Sequence, residues 1–242
     1  VDVVQDGTRV RGAVLEDLAT GRRVEVRAKV VVDGTDLGDV LARAGAAFDV
    51  GLEADSVSGE NAGIAASSDV VQDLTWCAIL KDYGPGADRT IPRPEGYDPA
   101  EFDCSSTSYC KDATREKPAV DARKMLEYAR LPGGKYLINW PNHGNDTYLN
   151  VVGLDDVARE KALDAAKATT LRFVYFIQSQ LGFRNLGLAD DEYPTKDLLP
   201  FIPYHREGRR LRGIVRFTSR DIEEPFGARD PLYRTGISVG DY

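Results

Sequence analysis

Long apolar runs are missing from this sequence, and with them any helix able to cross a membrane, which needs about 20 consecutive apolar residues. Thiols and imidazoles are scarce: Cys77, Cys104 and Cys110 are the three cysteines, and His143 and His205 the two histidines. No C-x-x-C occurs, so neither a zinc set nor a framework of several disulfides can be assembled. Excess positive charge is absent as well. The 31 lysines and arginines are outnumbered by 39 aspartates and glutamates, for a net charge of −8. A surface of that sign does not displace counterions from phosphate backbones, which argues against nucleic acid as a partner. No internal repeat or low-complexity tract occurs. What is present, 42% hydrophobic residues over a chain of 242, suffices for a buried core in one large or two small globular domains.

The chain starts at Val1 inside a strand-like pattern, with no Met, signal peptide or transit segment, and Tyr242 follows a Gly-Asp turn; both ends read as cut. Cys104 and Cys110 bracket a polar, Ser-rich stretch. They could close a small disulfide loop in an oxidising compartment or stand as two separate thiols. Both readings are open, and so is the compartment.

The first forty-five residues carry the strongest local signals. Val1 to Gln5 is β-prone, and Asp6-Gly7 favours a tight hairpin turn. Thr8 to Glu16 alternates, Thr20-Gly21 turns again, and Val24 and Val26 alternate with charges, which predicts a three-stranded antiparallel meander with one wet face. Val30-Val31-Val32 is a continuous β-branched run, as in a strand covered on both faces. It leads through Asp33-Gly34-Thr35-Asp36-Leu37-Gly38-Asp39 to a short amphipathic helix that stops at Gly45. Residues 46–75 are small and polar, and most of 83–118 reads as loop. Asp121 to Leu131 predicts a short helix ended by Pro132-Gly133-Gly134, and Tyr136 to Trp140 a short strand before a polar loop. The clearest helix runs from an Asp155 or Asp156 cap to Gly182, with Ala158, Ala162, Ala165, Thr169, Phe173, Phe176 and Gln180 on one face. Beyond Tyr204 to Arg210, a strand is expected in which Leu211, Gly213, Val215 and Phe217 alternate with arginines.

A buried strand that turns through glycine into a helix is where α/β proteins hold ligands. Gly34 and Gly38 let backbone approach closely, while Thr35 and Asp39 supply a hydroxyl and a carboxylate beside helix amides. The plainer reading is a structural turn with Asp36 or Asp39 as helix cap. Two sharper chemistries fail on residue identity. An Asp-x-Asp-Gly-Thr phosphatase needs a nucleophilic Asp where Val31 stands. A calcium loop needs oxygen ligands at alternate positions, whereas Asp33, Asp36 and Asp39 are three apart.

From Ala28 to Asp39 the sequence resembles the FAD-dependent oxidoreductases of the two-dinucleotide-binding type, in a branch typical of bacterial flavoproteins. The resemblance extends through the meander, Ile138-Asn139, the long helix, the Tyr204 to Arg210 stretch and Gly236 to Tyr242. Residues 80–120 carry no part of it. It implies an α/β (or α+β) fold: residues 1–45 as the end of a Rossmann-like FAD-binding domain, whose crossover is the meander, and residues 46–242 as a substrate-binding or cap domain of mixed sheet and helix, truncated at its C-terminus. It implies FAD as cofactor, with Gly34, Thr35, Gly38 and Asp39 beside it. Asp33-Gly34-Thr35 stands where Ala-Thr-Gly is commoner in the family. The family's Gly-x-Gly-x-x-Gly phosphate loop occurs nowhere in the 242 residues. The chain is therefore read as an internal fragment, expected alone to hold no FAD.

Six arginines, Arg206, Arg209, Arg210, Arg212, Arg216 and Arg220, fall within fifteen residues. Their forks suit carboxylates or phosphates. The alternative is a solvated face paired with Glu207, Asp221, Glu223 and Glu224, and only Arg206 and Arg210 are lifted above it by the resemblance. His143 and His205 are the candidate general bases. Asn139, Asn142 and Tyr204 join Arg206 and Arg210 as candidate substrate contacts. These polar residues point to oxidation of a small polar molecule, of the sugar or polyol kind, by hydride transfer to flavin, with no metal involved. The rival is a non-catalytic carbohydrate- or anion-binding domain using the same arginines and aromatics. Nothing supports a hydrolase triad or a glycosidase carboxylate pair.

Overall fold

The computed structural model describes residues 2–214 and 216–223. In chain order the first elements are β1 (Asp2–Asp6), β2 (Arg9–Glu16), β3 (Arg23–Arg27), α1 (Asp39–Arg43), β4 (Phe48–Asp49), α2 (Asp55–Ser58), β5 (Leu74–Thr75) and β6 (Ala78–Asp82). Then come α3 (Ala122–Tyr128), β7 (Arg130–Leu131), β8 (Lys135–Ile138), β9 (Asp146–Thr147), α4 (Asp156–Ser179), β10 (Leu186–Leu188), β11 (Arg210–Leu211) and α5 (Ser219–Glu223). Every strand pairing among the described residues is antiparallel, so the fold is mixed α/β with several small antiparallel sheets. The chain divides into two compact units, residues 1–71 with 207–242, and residues 72–206.

The first unit contains the expected meander, in the order β1-β2-β3, but all five residues of β3 are exposed, so Val24 and Val26 do not form the covered face that their alternation predicted. Its turns fall at Gly7 and Gly21, both with positive φ, as tight reversals require. At Gly12 the strands approach so closely that a Cβ would lie 2.0 Å from the Val26 carbonyl oxygen, a position only glycine can fill. The Val30–Val32 run departs from expectation. No strand forms there, and Val30 and Val32 are 77% and 84% exposed. A β-branched run needs neighbouring strands to pair with, and none of the described strands flanks it. Helix α1 forms where its pattern places it and ends with Gly45 in the left-handed region, its amide donating to Ala42 O. Among the described residues, only β11 realises the arginine-rich strand, paired with β4. Val215 lies outside the described residues, as do Val1, Glu224 and Gly236 to Tyr242.

The second unit is built on a four-stranded sheet in the order β10-β6-β8-β7. Helix α3 stops before Arg130 because β7 turns through Pro132–Gly134 and pairs with β8. Asp155 caps α4, its carboxylate accepting from the Ala158 amide at 2.8 Å. The buried face of α4 is Ala166, Thr170, Phe173, Val174, Phe176, Ile177 and Gln178, so only the C-terminal half enters the core. Of the expected face, Ala158, Ala165 and Gln180 are exposed. Alanine marks helix propensity better than it marks burial. Phe102, Phe173 and Phe176 form the aromatic centre, with ring centroids 5.1 to 6.1 Å apart; full burial of each contributes about 1.5–3 kcal/mol.

Besides the Phe102 packing, the long connection from 83 to 121 is fastened to α4 by side-chain hydrogen bonds from Gln178 and Arg172. Buried Gln178 accepts from Ile91 N at 2.9 Å and donates to the Arg89 and Leu186 carbonyls at 2.8 and 2.7 Å. Arg172 grips Glu101 with two bonds of 2.7 Å. Cys104 and Cys110 are joined by a disulfide, which closes the Ser-rich loop. Cys77 is the free thiol.

Candidate functional site

The turn that follows Val32 is organised by Asp33. Its Oδ1 accepts from the Thr35 amide at 3.0 Å and the Thr35 hydroxyl at 2.7 Å, and its Oδ2 accepts from the Leu41 amide at 2.8 Å. Thr35 Oγ1 in turn accepts from the Asp39 amide at 2.7 Å. Burial pushes the Asp33 carboxyl up, but the hydroxyl and amide donors outweigh it and hold the group below its ordinary value. Asp33, and neither Asp36 nor Asp39, thus satisfies the helix start. Gly38 sits at the N-cap with φ +65°, and a Cβ there would lie 2.8 Å from the Leu41 side chain. Asp39 pairs with Arg209 at 2.9 Å, whose Nη1 also donates to Leu37 O at 2.9 Å.

FAD chemistry can be tested against this turn. Gly34, Thr35 and Asp36 are exposed, and a Cβ on Gly34 would meet nothing within 4 Å. Backbone at Gly34 and Thr35 is open to a flat group. Gly38 and Asp39 are occupied in holding the turn together. The residues present therefore fit a backbone contact at 34–35 and fit less well as a set of four.

Arg209, Arg210, Arg212 and Arg216 face carboxylates inside the first unit. Asp49 accepts from Arg212 at 2.6 Å and from Arg216 at 2.7 Å, and Arg212 first, then Arg216, holds its carboxyl below the ordinary value. Glu53 takes Arg216 at 2.5 Å and Arg210 at 3.8 Å. Arg210 also holds Glu207 and the Gly51 carbonyl. Four arginines thus meet Asp39, Asp49, Glu53 and Glu207, which offsets most of the positive charge that the sequence concentrates here.

In the second unit β5 and β9 pair so that Thr75 lies directly opposite Asp146, both side chains on one face. Arg206 reaches this pair. Its Nη1 donates to Asp73 O at 2.8 Å and Thr75 Oγ1 at 3.0 Å; its Nη2 donates to Asn139 Oδ1 at 3.0 Å and meets Asp146 Oδ2 at 3.1 Å. The Thr75 hydroxyl has one proton and donates it in a hydrogen bond to the Asp146 carboxylate. The side chains of Arg206 and Asp146 are 19% and 5% exposed. Tyr204 pairs its backbone with Thr75 in both directions, at 3.1 and 2.7 Å, and its exposed ring lies 5.1 Å from the Arg206 guanidinium. His205, between them, is half-buried. Two residues beyond Thr75, burial pushes the Cys77 thiol up to about 11, against the pull of Arg206, so it is a neutral thiol near neutral pH.

Asn145 braces the same corner from below. Fully buried, it donates to the Ile138 and Trp76 carbonyls at 3.1 and 3.3 Å and accepts from the Trp140 amide at 2.9 Å.

Of the residues singled out in the sequence, Asn139, Tyr204, His205 and Arg206 come together here. Asn142 and His143 are exposed on the loop after Trp140, His143 with φ 52°. Arg210 belongs to the other unit. The Tyr204 to Arg210 stretch, which reads as one motif, is divided between the units after Arg206. Sequence reasoning missed Thr75, Asp146 and Asn145. Asp146 and Asn145 lie in a loop already marked as polar, whereas Thr75 carries no local signal.

No cluster of His, Cys, Asp and Glu able to hold a metal occurs among the described residues, and no helix among them is long and apolar enough to cross a membrane. A family model described as FAD dependent oxidoreductase matches residues 1–242, the whole chain. The chain belongs to that family, so the protein is an oxidoreductase and FAD is its cofactor. Searches of curated proteins and of solved structures return no match.

Proposed function

We propose that the protein oxidises a small, uncharged polar molecule of the sugar or polyol kind, and that residues 72–206 supply its substrate contacts. The observation that carries this reading is the Thr75–Asn139–Asp146–Arg206 cluster. Its one guanidinium is matched by one carboxylate, so the cluster presents hydrogen-bonding groups without net charge. An anionic substrate would have to compete with Asp146 for Arg206, so charge recognition is the weaker reading.

In this account Arg206 and Asp146 are positioning residues. They fix the Asn139 carbonyl oxygen inward, which turns the amide nitrogen away from the cluster as a donor for a substrate oxygen. His205, adjacent to Arg206, is favoured over exposed His143 as the group that takes the hydroxyl proton at an imidazole nitrogen. Tyr204 offers a ring face on which the apolar side of a sugar can lie. In the first unit the Gly34 and Thr35 backbone would contact FAD, with Gly38 and Asp39 shaping that turn. Bound FAD supplies the hydride acceptor.

The test is anaerobic bleaching of the flavin-loaded protein against a panel of polyols, sugars, carboxylates and apolar alcohols. Bleaching by the neutral hydroxylated compounds is expected, with KM raised in Asn139→Ala. Equal rates with carboxylates, or an Asn139→Ala variant with unchanged KM, would overturn the reading.

A further inference from the structure

The Cys104–Cys110 loop is held in a conformation that its own backbone and hydroxyl groups do not favour. Cys104 has φ +64°, in the left-handed region where a side chain other than glycine is strained. Ser105 and Ser106 are fully buried, and their hydroxyls meet no partner among the described residues. The disulfide closes this loop at a separation of six residues, with Cys104 1% exposed and Cys110 half-buried.

The loop is also fastened outward. The Trp140 indole Nε1 donates to Ser105 O at 2.8 Å, and the Ala122 amide at the start of α3 donates to Ser108 Oγ at 3.1 Å. The Tyr109 ring meets Phe176 edge-on, centroids 5.0 Å apart. Trp140 is the immediate neighbour of Asn139, and its amide is the donor held by Asn145. A covalent tie that enforces a costly loop therefore also sets the Trp140 corner.

We propose that the Cys104–Cys110 disulfide is a redox-sensitive clamp: its reduction by a dithiol releases Trp140 from Ser105 and loosens Asn139. One thiolate of the dithiol attacks Cys110 Sγ, the more accessible sulfur, and the Cys104 sulfur leaves as a thiolate that takes a proton. The second thiol of the reductant then closes on the mixed disulfide, leaving two protein thiols and an oxidised, cyclic reductant. Buried Cys104 and the two unpartnered hydroxyls gain water when the loop opens. The consequence for substrate binding rests on the reading of Asn139 as a substrate contact; the clamp itself does not.

The experiment equilibrates the protein with graded dithiothreitol and follows tryptophan emission, thiol alkylation by mass, and KM. The emission of Trp140 is expected to shift with the same midpoint as alkylation of two added thiols, and the shift is expected to vanish in Trp140→Phe. Cys104→Ser/Cys110→Ser, checked for folding by circular dichroism, should show the shifted emission without reductant; if that variant does not fold, reduction and reoxidation of the native chain carry the test. KM for a hydroxylated substrate should rise about fivefold on reduction, the factor one lost hydrogen bond carries. Unchanged emission after both thiols are alkylated overturns the clamp. A shifted emission with unchanged KM upholds the clamp and overturns the role of Asn139.

Discussion

Replacing Arg206 by Met removes the cation from a pair whose carboxylate is almost wholly buried. In the native protein the guanidinium satisfies Asp146, Asn139, Thr75 and the Asp73 carbonyl at once. Without it, Asp146 keeps the Thr75 hydroxyl as its donor in a site that water barely reaches. Breaking a buried pair by deleting one partner costs about 3–5 kcal/mol, and the 19% exposure of Arg206 places this case near 3. An exposed pair would cost only about 0.2–1 kcal/mol. Urea unfolding of Arg206→Met should therefore show a loss of about 3 kcal/mol, or roughly 10 °C in the transition of the second unit. Arg206→Met with Asp146→Leu removes both charges and should be clearly more stable than the single variant, since no buried carboxylate is left alone. A single-variant loss under about 1 kcal/mol, or a double variant that loses the sum of the two single effects, refutes the reasoning.

Other perturbations separate the parts of the account. Asp33→Asn keeps one acceptor oxygen but sets an NH2 donor against the amide that the other oxygen served, and should cost about 1 kcal/mol, measured by denaturation near pH 6. Because the folded Asp33 carboxyl lies below its ordinary value, its contribution is full above that value, about pH 3.9, and is lost as pH falls through the folded one; the gap between native and Asp33→Asn proteins should close in acid, and a pH-independent gap would contradict the capping role. Phe176→Ala should cost about 3–5 kcal/mol, because its fully buried ring touches Phe102, Phe173 and Tyr109; a loss near 1 would show that the core sits elsewhere. Arg212→Gln and Arg216→Gln should each cost under about 1 kcal/mol, and the difference should fade in high salt. A larger, salt-insensitive loss would mean that Asp49 and Glu53 bind them more tightly than exposed partners do.

The elements legible in the sequence are those whose causes are local. Asp6-Gly7 and Thr20-Gly21 fix the meander's turns, and Asp155 caps α4 three residues before the amide it accepts from. The misreadings have non-local causes. Whether Val30–Val32 pairs depends on strands elsewhere, and the end of α3 depends on Arg130 finding Tyr136 across a hairpin. Thr75 and Asp146 are 71 residues apart, so no spacing rule joins them. The arginine run was visible, but its cancellation required Asp49 and Glu53, more than 150 residues earlier. Of the candidate site, Asn139, Tyr204, His205 and Arg206 lie in stretches that the family resemblance covers; the residues that orient them, Thr75, Asn145 and Asp146, lie outside those stretches.

The visible spectrum of the purified protein tests the central claim most directly. A purified protein with oxidised-flavin absorption, bleached without oxygen by a neutral hydroxylated substrate, is the predicted result. A colourless protein that takes up no FAD on reconstitution would contradict it.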